Sequence, residues 1–407
     1  MSSRTYPFPN SFPKESETQF LKLVLCSDTE FEPRFLEWKA STIFDKIDYA
    51  TTRLMPLLYL RLESLGIDDP IRGRLKGIYR LAWFSNQKIL NAAMKACRLL
   101  ESQAIDVLAL KGIPLLLGAY KDTGARFLAD ADLLISPKHA HQAINVFLAN
   151  GWKFGHEHKK ELSEFSLKRL GEVAKEAVFV HDDGIEVDLH WHTMRARRSG
   201  AVRGMIPLDE CKEGSFPIQW NAYEFRSPAP EYLLLHVIVH GAADNPHRGL
   251  RWVTDTVYIT RSYSIDWNAF LMLVRTYEFE AEIMMACSYL SEHSFVEFPH
   301  GFIEKISALP ISKRKMKEFY RQANGVARYP IFGNLPALWQ NYREYGLQGN
   351  IITRISGFIT YAAAAWGLEK KSDIPRFVIQ KYGERIRRKT RNIRRPKNTR
   401  LNTSRKK

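Results

Sequence analysis

The sequence predicts an α+β protein: a small α/β core over residues 104–192, held between a helical region before it and a longer helical region after it. Three observations carry this reading. Short apolar runs of strand length cluster between residues 106 and 190. Apolar residues step at threes and fours from Ser16 to about Gln103. The helical pattern then resumes near Pro230 and fills most of the chain to about Gly383. The chain therefore divides into a helical region 1–103, a core 104–192, a helical region 193–384 and a basic tail 385–407.

Residues 1–14 hold three prolines and little periodicity, which predicts a loose arm. Ser16 and Gln19 have the spacing of a capping box, and Phe20, Leu21, Leu23, Val24 and Leu25 follow. Asp68-Asp69-Pro70 marks a break between helices, and Ile89, Ala93, Cys97 and Leu100 share one face of the next helix.

The core opens with an apolar strand over 106–110, and Gly112 starts a helix running to about Tyr120. Lys121-Asp122-Thr123-Gly124 is a loop leading to a second strand that carries Asp130 and Asp132. Side chains alternate along a strand, so these two carboxylates share a face about 7 Å apart, while Ala131, Leu133 and Ile135 take the face that can be buried. Adjacent carboxylates repel, and a hard divalent cation with a preference for oxygen ligands resolves the conflict. An isolated Asp-x-Asp is better read as two solvated residues at a loop-to-strand junction.

A third carboxylate changes the balance. Residues 176–181 and 185–190 are two strand-like runs separated by Asp182-Asp183-Gly184, a strong hairpin signal. On the second run Ile185, Val187 and Leu189 share one face, and Glu186, Asp188 and His190 share the other. If this strand lies beside the first, Asp188 joins the aspartate pair. Three carboxylates on neighbouring strands can hold two Mg²⁺ ions against the phosphates of a nucleotide. Asp130 and Asp132 are then metal ligands, and Asp188 is the third ligand and general base. Glu186 is the alternative to Asp188, though its flanks fit less well.

The ordered set Leu110-Lys111-Gly112, Arg126, Asp130-x-Asp132 and Val187-Asp188-Leu189-His190-Trp191 resembles the uncharacterised bacterial nucleotidyltransferase family of the DNA polymerase β-type superfamily. Leu235-His236, His240-Gly241, Leu250-Arg251-Trp252 and Asp255 extend the resemblance, which spans about residues 15 to 385. It implies a mixed-sheet polymerase β-like core flanked by helical regions. It also implies Mg²⁺-dependent (or Mn²⁺-dependent) transfer of a nucleoside monophosphate from an NTP to an acceptor hydroxyl, with release of pyrophosphate. The acceptor is a small molecule, a peptide or protein, or RNA. One departure stands out: the superfamily places Gly-Ser or Gly-Gly at the turn, and this chain has Gly112-Ile113. The missing hydroxyl leaves Lys111 as a substitute.

Nucleotide contacts are expected from Lys111 as a point charge, from Gly112 and the amides at the helix start, and from Arg126. On the resemblance, His240, Arg251 and Asp255 line the cleft between the core and the later helices, with His236 packed inside. His236 and His240 stand at i, i+4, the spacing of a zinc helix, but Val237 sits where a zinc-protease helix carries glutamate. The polar stretch 155–175 reads as a helix or loop over the site, and Arg195, Arg197, Arg198 and Arg203 as a basic, mainly solvated loop.

The formal charge of +16 suggests a nucleic-acid partner until it is located. Residues 385–407 contain twelve Lys or Arg and no Asp or Glu, which leaves about +4 for the rest of the chain. Such a tail is expected to be disordered and to touch nucleic acid through phosphates without base recognition, since it lacks interleaved aromatics. Four well-separated cysteines fit a reduced, cytoplasmic setting better than disulfides or a structural zinc site. The apolar run 355–368 is too short to span a bilayer and reads as a buried helix. Two rival functions remain open: a His/Asp metallohydrolase using His190, His192, His236 and His240, and a nonenzymatic RNA-associated protein with a degenerate core.

Overall fold

The computed structural model describes residues 7–155, 174–181, 184–194, 206, 208–244, 249–325, 338–339, 342 and 350–380. Helices α1 (Glu15–Leu25), α2 (Asp28–Ser41), α3 (Tyr49–Thr52), α4 (Met55–Ser64) and α5 (Arg72–Glu101) come first. The core follows with β1 (Val107–Ala109), α6 (Gly112–Pro114, continuing as a π-helical turn Leu115–Tyr120), β2 (Ala131–Ile135), α7 (Ala140–Ala149), β3 (Lys153–Phe154), β4 (Glu176–Val180) and β5 (Glu186–His190). Beyond it lie α8 (Leu208–Lys212), the pair β6 (Phe216–Trp220) and β7 (Tyr223–Ser227), then α9 (Pro230–Val239) and α10 (Arg251–Ser262). The last described helices are α11 (Trp267–Tyr277), α12 (Glu280–Glu292), α13 (Phe302–Ser307), α14 (Lys313–Ala323) and α15 (Ile351–Ala365).

The core sheet has the order β1-β2-β5-β4-β3. It is mixed: β2 and β5 run parallel, and every other neighbour is antiparallel. The two sides of the sheet differ because the strands alternate. Leu133, Val187 and Leu189 join Ile89, Ala93, Ala96 and Cys97 of α5 and Phe147 of α7 in one apolar cluster. Truncating such a side chain, Leu133→Ala for example, costs about 2–5 kcal/mol. Leu108, Leu110 and Leu134 instead enter a larger cluster built from the helices on both sides of the core. Asp132, Asp188 and His190 occupy strand positions out of phase with Leu133, Val187 and Leu189, and so turn away from α5.

Several expectations change. The N-terminal arm is docked from Pro7 onward. Phe12 is buried against Trp252 and Tyr289, Phe8 stacks on Phe12, and the Ser11 hydroxyl donates to the Ala242 carbonyl at 3.0 Å. Two phenylalanines outweigh three prolines, because the apolar area they bury more than offsets ordering a short segment. Helix α1 starts one residue before Ser16: the Glu17 carboxylate accepts from the Lys14 N–H at 2.6 Å. The hairpin β6–β7 was not foreseen within a stretch read as helical, although Tyr223, Phe225 and Ser227 alternate inward and Asn221 takes the left-handed turn conformation.

Helix α15 is buried only near its C-terminal end, at Tyr361, Ala362, Ala363 and Ala364, while Ile351, Ile352 and Ile355 are exposed. Apolar composition set the helix, but no described element covers its first half. Among the described residues no helix is long and apolar enough to cross a membrane. Asp182 and Asp183 of the hairpin turn, residues 156–173 of the stretch expected over the site, the arginines at 195, 197, 198 and 203, and the tail 385–407 lie outside the described residues.

Candidate active site

The parallel pairing of β2 with β5 sets Asp132 directly opposite Asp188. No turn or hairpin joins these two strands, so the pairing is a tertiary contact between segments more than fifty residues apart. Single carboxylate oxygens of Asp132 and Asp188 and a ring nitrogen of His190 lie within 4.8 Å of one another. The Asp132 carboxylate is buried and accepts from two directions. Its Oδ1 is bonded to the Lys111 ammonium and lies 2.8 Å from His190 Nε2. The other ring nitrogen, Nδ1, is 2.9 Å from Glu176 Oε2, an ion-pair separation.

These contacts divide the carboxylates electrostatically. Burial pushes the Asp132 carboxyl up, but the Lys111 and His190 charges outweigh it and hold the group well below the usual range. Burial also disfavours the Lys111 charge, and Asp132 more than restores it. For Asp188 the same Lys111 and His190 charges are outweighed. Burial, then the charges of Asp132 and Asp130, push its carboxyl up to about 7. Burial and Asp132 raise Asp130 as well. For His190, burial and Lys111 oppose protonation, and the hydrogen bond to Asp132 together with the facing Glu176 carboxylate overcomes them, so its pKa is raised. Asp130 occupies the bend just before β2 and is partly exposed. It faces the cluster electrostatically without being one of the three groups closest together.

Lys111 reaches Asp132 through an unusual backbone. It sits between β1 and α6 at φ 47°, ψ −106°, where L-residues other than glycine are strained by about 1–3 kcal/mol. Gly112, expected to permit a close approach, is required for space. A Cβ there would lie 2.6 Å from Leu128 Cδ2 and 3.2 Å from Arg126 Nη1. The missing side chain lets the loop carrying Arg126 close onto the turn.

Arg126 and Asp255 form a buried bidentate pair, Nε to Oδ1 at 2.8 Å and Nη2 to Oδ2 at 3.0 Å. The Tyr120 hydroxyl donates to the same Asp255 Oδ1 at 2.8 Å. Asp255 thus holds Arg126 in place. Gly241 packs so tightly on Trp252 that a Cβ would come within 2.2 Å of it, bringing the end of α9 to the start of α10. His240 and Arg251 meet there. Lys111, Arg126, His236, His240, Arg251 and Asp255 line one cavity of about 70 Å³. That volume suits about two waters or a phosphate-sized group, and not a whole nucleotide. His236 is buried in the cavity wall near Lys111, and burial followed by the Lys111 charge keeps it neutral, well below its usual pKa.

Of the residues expected at the site, Asp132 and Asp188 come together, Asp130 flanks them, and Lys111 connects them to the cavity that the cleft residues line. The four histidines of the metallohydrolase reading do not converge. The only His/Cys/Asp/Glu group with metal-ligand spacing among the described residues is Asp132, Asp188 and His190. Two residues were missed, Glu176 and Arg53, and His190 was assigned to the rival metallohydrolase reading alone. His190 shares the strand face with Asp188, a signal present in the alternation; Glu176 is visible only through the hairpin register, which sets it opposite His190. Arg53, described below, gave no local signal at all.

The chemistry of the donor set fits a divalent cation: two carboxylates face each other at one register position, burial and the charge of the first push the second up to about 7, and an imidazole stands beside them. A comparison with curated proteins finds no match. A family model described as "Uncharacterised nucleotidyltransferase" matches residues 49–293, from α3 to the end of α12. With more than half of its length matched, and with an Asp–Asp–His cluster at the centre of the matched region, this chain belongs to that uncharacterised nucleotidyltransferase family.

Proposed function

We propose that the protein transfers a nucleoside monophosphate from an NTP to an acceptor hydroxyl and releases pyrophosphate, with Mg²⁺ or Mn²⁺ as the cation. The observation that carries this reading is the register pairing of Asp132 with Asp188 in a chain of a nucleotidyltransferase family. Asp132 and Asp188 hold the cation, with Asp130 completing the carboxylate set. When bound, the cation supplies Lewis-acid polarisation of the phosphoryl oxygens.

The residues around the carboxylates have separable tasks. His190 and Lys111 fix Asp132 as an ionised ligand. Asp188, the carboxylate with the highest proton affinity, takes the proton from the acceptor hydroxyl. Lys111 stands between the carboxylates and the cavity and offers its ammonium to a phosphate oxygen, in place of the absent turn hydroxyl. Arg126, His240 and Arg251 face phosphate from the far wall, with Gly112 giving the room and Asp255 the anchor.

The acceptor is a small molecule, a peptide or protein, or an RNA end, and the basic tail 385–407 adds salt-dependent contact with nucleic acid. The test supplies each NTP, labelled at the α-phosphate or at the γ-phosphate, with Mg²⁺ or Mn²⁺ and a cell extract. Label from the α-position should move to an acceptor while γ-label appears as pyrophosphate, and Asp188→Asn should stop both. Release of γ-label as orthophosphate without transfer would replace this reading with hydrolysis.

A further inference from the structure

Beside the acidic cluster the structure gathers three guanidinium groups, which share one bonded carboxylate among the described residues. They converge on the carbonyl oxygen of Phe127: Arg251 Nη1 at 2.8 Å, and Arg126 Nη1 and Arg53 Nη2 each at 3.5 Å. A carbonyl oxygen has two lone pairs, and contacts at 3.5 Å are at the outer limit of hydrogen bonding, so this acceptor does not satisfy three cations. The only carboxylate bonded to any of the three among the described residues is Asp255, on Arg126. Arg251 is also the first residue of α10, where a positive side chain opposes the helix dipole. Burial, then the charges of Arg126 and Arg53, pull its pKa down to about 9. Arg126 and Arg251 line the 70 Å³ cavity, and Lys111 borders both that cavity and Asp132.

We propose that Arg53, Arg126 and Arg251 form an anion clamp for the pyrophosphate end of a nucleoside triphosphate, with Arg53 as its third jaw. The inference deepens the nucleotidyl-transfer reading and rests on it for the identity of the anion. Each arginine comes from a different part of the chain: Arg53 follows α3, Arg126 belongs to the loop before β2, and Arg251 opens α10. A polyphosphate bound there ties the N-terminal helices, the core and the later helices to one ligand. The planar fork of arginine suits the paired oxygens of phosphate, and the clamp needs no metal to hold them.

The test is calorimetric titration of the full-length protein with inorganic pyrophosphate in EDTA, comparing wild type, Arg53→Gln, Arg53→Lys and Arg251→Gln, with melting curves alongside. The wild type should bind without metal. Arg53→Gln should weaken binding by about tenfold or more, with unchanged melting, because one charge-assisted contact is lost. Arg53→Lys should recover part of the loss. If Arg251→Gln fails to fold, Arg53→Gln still decides the matter, since Arg53 has no ion pair among the described residues. No binding by the wild type in EDTA, or equal affinity in Arg53→Gln, overturns the clamp. Label transfer from an NTP with an unchanged Arg53→Gln affinity would leave the function standing without it. Arg53-dependent pyrophosphate binding with no transfer from any NTP would keep the clamp and sink the function.

Discussion

Two neighbouring clusters in this molecule are assembled from opposite charges, and each is unfavourable by itself. On the sheet, Asp132 and Asp188 face each other with Asp130 close by, and the Lys111 ammonium is bonded to Asp132. Across the cavity, Arg53, Arg126 and Arg251 crowd a single carbonyl, with Asp255 bonded to Arg126. A divalent cation would relieve the acidic cluster and a polyanion the basic one, and under the proposed function a metal-complexed nucleoside triphosphate is one ligand that carries both. The difference between them lies in their scaffolds. The carboxylates ride on adjacent strands with fixed register, whereas the arginines come from a loop and from helices on both sides of the core.

The comparison can be broken at its strongest point first. Asp188→Asn should lower transfer on the order of 10³-fold or more while leaving the melting temperature equal or higher, since it removes a buried like-charge repulsion. Activity that survives this change would remove the acidic cluster from the chemistry. The same substitution at Asp132 should be as damaging to transfer and also destabilising, because Lys111 and His190 lose their partner.

Within the basic cluster the next largest effect separates Arg126 from Arg53. Arg126→Gln leaves Asp255 buried without its bidentate partner and should cost about 3–5 kcal/mol of stability. Arg53→Gln should cost almost none, because its role is toward the ligand. Chemical denaturation of the two variants reads the contrast directly; equal losses would make both arginines structural.

A smaller effect follows from pH. The folded-state pKa of Asp188 is raised, so the stability it contributes is fully present below its unfolded value near 4 and is lost as pH rises to about 7. Metal-free protein should therefore melt progressively lower across that window, by on the order of 2 kcal/mol after allowing for solvent screening. Asp188→Asn should flatten the slope, and Mg²⁺ or Mn²⁺ should restore stability mainly at the upper end. His190, also raised, loses its contribution only above its ordinary value near 6.5, so it does not account for the lower half of the slope. A metal-free melting temperature that climbs from pH 4 to 7 and ignores Asp188→Asn would contradict the charge division.

At the small end, Glu186→Ala should leave transfer and nucleotide affinity nearly unchanged, although it shares a strand face with Asp188. It begins β5 opposite Val180 and is not one of the groups with metal-ligand spacing. Loss of turnover in this variant with activity retained in Asp188→Asn would mean that the wrong carboxylate has been chosen. Deletion of 385–407 should be smaller still: melting unchanged, nonspecific nucleic-acid binding weakened and more so at low salt, because that segment has charge but almost no apolar area to bury.

Local chemistry in the sequence was enough to specify the strands bearing Asp132 and Asp188, their two-sided alternation and the turn-plus-helix beginning at Gly112, because these depend on periods of two and on short-range turn residues. It also identified Lys111, Arg126, His240, Arg251 and Asp255 as a group, through their resemblance to a family pattern. What required the tertiary structure was everything that joins distant segments without a local signature. The parallel register that sets Asp132 against Asp188 is one case, and the Asp255 carboxylate spent on Arg126 rather than on a ligand is another. The strain at Lys111, the docking of Phe8 and Phe12, and the arrival of Arg53 belong with them. Periodicity reports which face of an element is apolar, but it carries no term for which other element that face will meet. Charge pairing is decided by that meeting, over distances of a few ångströms and sequence separations of fifty residues or more.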